Sequence, residues 1–110
     1  MKVEEKGHTI TIKDTQNDVA AFREKVTTEY NSFKGRNLIL DLAGDGLIGL
    51  EDVLTFLPLS NKHRAEKKSF VLVVKDFDYN DVPDEMVVVP TLLEANDIIE
   101  MEEIERDLGF

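Results

Sequence analysis

The chain has 110 residues, enough for one domain with a single core and too few for separate cofactor and substrate domains. Its residues are 42% apolar and 33% charged, a balance that argues against wholesale disorder. The formal net charge is −10, heavier in the second half, so phosphate backbones and anionic lipid are repelled and neither nucleic acid nor a membrane is an expected partner.

A basic protein partner remains allowed by that charge. No run approaches the roughly 18 apolar residues of a membrane span. The opening residues, MKVEEKGH, carry no apolar signal region, and the chain has no cysteine, so a cytoplasmic domain without disulfides or thiolate chemistry is expected.

In chain order, Ile10 and Ile12 alternate with Thr9, Thr11 and Lys13 behind Lys6-Gly7, which predicts a hairpin turning at Gly7. The cap-rich cluster Asp14 to Asp18 precedes Val19, Phe22, Val26, Tyr30 and Phe33 at helical spacing, with Gly35 closing the helix. Leu38 to Leu42 is nearly continuous in apolar character, as in a strand covered on both faces. Leu50, Val53, Leu54 and Leu57 form the next helical stripe, with a kink or break expected at Pro58. Phe70 to Val74 predicts a second buried strand, and Asp76 to Glu85 an acidic loop with one helical turn. Met86 to Val89 predicts a last short strand, ended by Pro90. Thr91 then caps a helix carrying Leu92, Leu93, Ala95, Ile98, Ile99, Met101, Ile104 and Leu108, stopped by Gly109. The order β-β-α-β-α-β-(α)-β-α predicts an α/β domain over residues 1–110, with a mixed sheet whose later strands are parallel and with helices packed on it.

The stretch LILDLAGDGLIGLEDVL, Leu38 to Leu54, fits three site motifs. Gly44, Gly46 and Gly49 after a strand and before a helix match the dinucleotide fingerprint, whose glycines let backbone N–H groups approach a pyrophosphate. Asp45 would set a carboxylate beside those phosphates. The acid expected about 20 residues on is also missing, because the next strand ends farther away, at Asp76. As a calcium loop, Asp41, Asp45 and Gly46 fill positions 1, 5 and 6, but Ala43 offers no ligand at 3 and Asp52 is short for 12. No metal or cofactor is expected. His8 and His63 lie in different elements without zinc-ligand spacing, and His63 reads as a polar face residue near a helix end. Ser32, Ser60 and Ser69 lack a nucleophile elbow, so no catalytic constellation is visible and an enzyme is not expected.

The hairpin, the helix, the strand LILDLAG, the turn into an amphipathic helix, the strand FVLVV and the ending VVVPTLLEANDIIEMEEI together resemble a STAS domain. That is the fold of sulfate-transporter cytoplasmic domains and anti-sigma-factor antagonists, and the similarity covers almost the whole chain. It implies a STAS-like sandwich and a regulatory, non-catalytic function in docking another protein. In the antagonist branch, a serine or threonine at the start of the second helix is phosphorylated and the added charge disrupts docking. Here the matching segment, Ile48-Gly49-Leu50-Glu51-Asp52, is shorter and has no hydroxyl, so phosphorylation-independent docking is expected. The expected partner surface is Asp45, Gly46, Gly49, Glu51 and Asp52, and replacing Glu51 and Asp52 with lysine should abolish partner capture. Glu51 and Asp52 are either first-turn helix acids or a permanent stand-in for phosphate. The alternative function is a small anion- or nucleotide-binding domain using the turn Gly44 to Gly49. A homodimer through the apolar last helix is a further reading.

Overall fold

The computed structural model describes residues 1–109. The hairpin pairs β1 (Lys2–Lys6) with β2 (Thr9–Lys13) antiparallel, Lys6 opposite Thr9, which leaves Gly7 and His8 as a two-residue turn. Gly7 takes φ +60 at the first turn position, where a type II′ hairpin needs a left-handed residue. β2, β3 (Asn37–Asp41), β4 (Phe70–Val73) and β5 (Val87–Val89) then pair in parallel in chain order, giving one mixed sheet β1-β2-β3-β4-β5. The expected α/β architecture with parallel later strands is therefore present.

The continuous apolar runs of β3 and β4 follow from burial on both faces. Ile10, Ile12, Leu38, Leu40, Leu42, Phe70 and Leu72 face one side. There they meet Phe22, Val26, Tyr30 and Phe33 of the first helical pair, and Val53, Phe56 and Leu59 of the second. Right-handed crossovers between neighbouring parallel strands put both pairs on that one side. Ile39, Val71 and Val73 face the other side, where α5 (Leu92–Asp107) supplies Ala95 and Ile99. Each large apolar side chain so buried contributes about 1.5–3 kcal/mol.

The helices are more broken than their periodicity suggests. The first is interrupted at Glu29 into α1 (Val19–Thr28) and α2 (Tyr30–Phe33). The β-branched pair Thr27 and Thr28 precedes this break, and the Thr27 hydroxyl donates to Arg23 O at 2.8 Å, a back-bond that bends helices. The second divides into α3 (Leu50–Leu54) and α4 (Leu57–Ala65) just before Pro58, which falls in the first turn of α4, where its missing N–H does no harm. Gly35 is not a left-handed helix cap, since the glycines with positive φ are Gly7 and Gly109. Gly109, at φ +83, does end α5 as expected. The left-handed residue after α4 is Lys67, at φ +62, and its N–H donates to Arg64 O at 2.9 Å.

His63 is not a surface residue of α4 but is wholly buried. Its Nε2 lies 2.7 Å from Arg36 O and its Nδ1 2.8 Å from the Tyr30 hydroxyl. A carbonyl only accepts, so Nε2 carries the proton and Nδ1 accepts from Tyr30. Burial lowers the pKa of His63 and keeps the ring neutral. The imidazole thus ties α4 to α2 and to the start of β3.

Candidate functional site: the strand-to-helix turn

The C-terminal ends of β2 and β3 lead into two loops that grip each other. Asp14 N donates to Asp41 O at 3.2 Å, joining them at the base. In the first loop, Asp14 accepts from Gln16 N at 3.0 Å and from Asp18 N at 3.1 Å, and Asp18 caps α1 by accepting from Ala21 N at 3.1 Å. This curls Asn17 into the left-handed region at φ +50, which asparagine tolerates. Its side-chain oxygen then accepts from Gly46 N at 2.6 Å and holds the second loop.

That second loop, Leu42 to Gly49, uses its backbone donors internally. Ala43 N donates to Asp41 Oδ1 at 2.9 Å, Asp45 N to Leu42 O at 3.0 Å and Gly49 N to Asp52 Oδ2 at 3.1 Å. The last bond is half of a capping box, and Gly49 has no side chain to supply the other half. With Gly46 N on Asn17, four N–H groups that a phosphate would need are already engaged. None of Gly44, Gly46 and Gly49 has a positive φ, and a Cβ on any of them would meet nothing closer than 3.7 Å. Neither backbone conformation nor close approach therefore demands glycine here, and the sharp turn is held by its hydrogen bonds.

The residues singled out from sequence are brought to this loop and the first turn of α3, but they do different things. Gly46, Gly49 and Glu51 are exposed, and Asp52 is half-buried because it caps α3. Asp45 turns inward: both of its carboxyl oxygens are buried and find no donor in the backbone or in a neutral side chain. They lie instead against the carboxyl of Asp14. Burial first, then this contact and the charges of Asp14, Asp41 and Asp18, raise the pKa of Asp45 to about 7. Asp14 accepts two backbone N–H bonds, whereas the Asp45 carboxyl oxygens accept none.

Within the turn Asp45 to Gly49, the apolar side chain that faces outward is Leu47. It stands 98% exposed at the apex of the loop, while the next residue, Ile48, is buried in the core. Alternation around a turn follows neither the helical nor the strand period, so two adjacent apolar residues give no sign of which one faces outward.

The acids do not form a ligand cage. Asp41 opens on the α5 side of the sheet, beside Lys2, Thr11, Lys13 and Leu92, whereas Asp45 lies against Asp14. Among the described residues no group of three or more His, Cys, Asp or Glu side chains is arranged to hold a metal ion. Among them, too, no helix is long and apolar enough to cross a membrane. Comparison with family models and with curated proteins finds no match for this chain.

Proposed function

We propose that this domain is a non-catalytic, cytoplasmic protein-interaction module, similar in design to the STAS-type anti-sigma-factor antagonists, that docks through the β3–α3 turn without phosphorylation. The single observation that carries this reading is Leu47, a large apolar side chain almost wholly in water on a loop made rigid from beneath. Ordering a loop before binding removes part of the entropic cost of association, and an apolar anchor in a polar rim is the usual form of a contact hot spot. Gly46, Gly49 and Glu51 provide that rim, with Asp45 and Asp52 supporting it from inside.

Leu47→Asp combined with Glu51→Lys should weaken partner capture from native cytoplasm by roughly tenfold or more. Circular dichroism and the melting temperature should stay unchanged, since both side chains are exposed. Capture that persists in the folded variant would overturn the assignment. Asp52 is a poorer position to change, because loss of its cap would weaken α3 by about 1 kcal/mol and mix folding with binding.

The rival, an anion cradled by the glycines, is disfavoured by the four N–H groups already committed within the loops. Titration with nucleotides and inorganic phosphate, followed by the amide signals of Gly44, Gly46 and Gly49, tests it directly. No movement at millimolar ligand is the expected result.

A further inference from the structure

α5 is apolar on two opposite sides. Ala95 and Ile99 are buried against the sheet. Half a turn around the helix, Leu93, Met101, Ile104 and Leu108 are exposed by 72%, 60%, 59% and 66%. At 3.6 residues per turn all four fall on the outer half of the helix, Met101, Ile104 and Leu108 on successive turns and Leu93 two turns earlier, beyond Asp97. Isolated exposed apolar side chains are ordinary, whereas Met101, Ile104 and Leu108 at helical spacing make a contiguous patch.

The rotation that presents this stripe outward is fixed by side chains at the far end of α5. Arg64 of α4 reaches Glu102 at 3.2 Å and Phe70 O at 2.9 Å. Arg106 reaches Ser69 Oγ at 3.2 Å and Asn37 Oδ1 at 3.3 Å. The helix therefore cannot roll to bury the stripe without breaking both anchors.

What flanks the stripe indicates what would cover it. Glu100 and Asp107 lie along one side and Glu94 and Glu105 along the other, with Asp97 between, and all five are exposed. The one basic residue of α5, Arg106, is turned inward to its anchor. An apolar row with acids on both flanks is complementary to an apolar row with lysine or arginine on both flanks. A second copy of this chain would set acids against acids, and anionic surfaces would be repelled in the same way. We propose that the outer face of α5 is a second docking surface, and that its occupant is a cationic amphipathic helix of a protein partner. This surface lies across the sheet from α3 and is independent of the docking turn.

The test is calorimetric titration with a synthetic lysine–leucine amphipathic helix of about 18 residues, beside an isomer of the same composition in scrambled order. The amphipathic peptide is expected to bind with a micromolar Kd. Binding should fall at least ~tenfold for the isomer and for the double variant Met101→Ser/Ile104→Ser, which keeps every charge. Both substitutions are on the exposed face, and circular dichroism verifies the fold. Equal binding by the isomer, or binding undiminished in the double variant, would reduce the effect to bulk charge and overturn the proposal. Self-association in light scattering that the double variant abolishes would give the stripe to a second copy and overturn it as well. Glu51→Lys should leave peptide binding unchanged, which separates this surface from the turn.

Discussion

Asp45→Asn is expected to stabilise the domain by about 1–2 kcal/mol near pH 8 and to have little effect near pH 4. In the folded protein the carboxyl holds its proton up to about pH 7, because it is buried against Asp14 with Asp41 and Asp18 close by. In the unfolded chain an aspartate releases its proton near pH 4. The stabilisation from the held proton is therefore complete below about pH 4 and is lost as pH rises through about 7. Asparagine has nearly the same shape and offers Asp14 an N–H donor at every pH, so it removes that loss. The full shift would convert to more free energy than this, but Asp45 is only part-buried and solvent screens the pair. Urea titrations of both proteins across this pH range provide the check. A stability difference that does not vary with pH would refute the raised pKa of Asp45.

The second large effect is expected at His63. Replacement of His63 by phenylalanine keeps a planar ring but leaves the Tyr30 hydroxyl and the Arg36 carbonyl without a partner inside the protein, at a cost of about 2–4 kcal/mol. Adding Tyr30→Phe should return about 1 kcal/mol, because one orphaned polar group disappears with it. Burial raises the Tyr30 pKa, with Glu66 adding to the effect, so this hydroxyl keeps its proton and remains the donor. The contribution of His63 to stability should also fall as pH drops below about 6.5, opposite in sign to that of Asp45, because the unfolded chain takes up a proton that the buried, depressed imidazole refuses. His63→Phe should lose that acid sensitivity. Denaturation midpoints of the two single variants and the double variant measure all three effects.

What could be read from the sequence follows from how local each signal is. Leu38 to Leu42 and Phe70 to Val74 are legible as buried strands because every residue in them except Asp41 is apolar, and two-sided burial is the simplest cause. The hairpin is legible because Gly7 interrupts an alternating pattern. The break between α3 and α4 was signalled by Pro58, although it falls before that residue rather than at it. The break at Glu29 had no such marker. His63 looked like a surface residue because Lys62 and Arg64 flank it, and its partner Tyr30 lies in a different helix. The position of the turn is legible in the sequence, but the roles of its side chains are not. The spacing of its glycines suggests a backbone requirement that their φ values and surroundings do not show, and the inward turn of the Asp45 carboxyl has no local signal. The outward position of Leu47 is not legible, because nothing in a turn of irregular period distinguishes it from Ile48.

The sequential order of the strands also bears on how the chain acquires its shape during synthesis. Each new strand pairs with the one made just before it, so the sheet can extend in step with translation, with the first four helices closing one side as they appear. The other side has no such provision. Ile39, Val71 and Val73 stay open until α5 follows the fifth strand, and among the described residues α5 is the only helix packed on that side. A ribosome-bound chain stalled before Leu92 would therefore present a half-finished sheet whose apolar back, Ile39, Val71 and Val73, is open to chaperones and to aggregation.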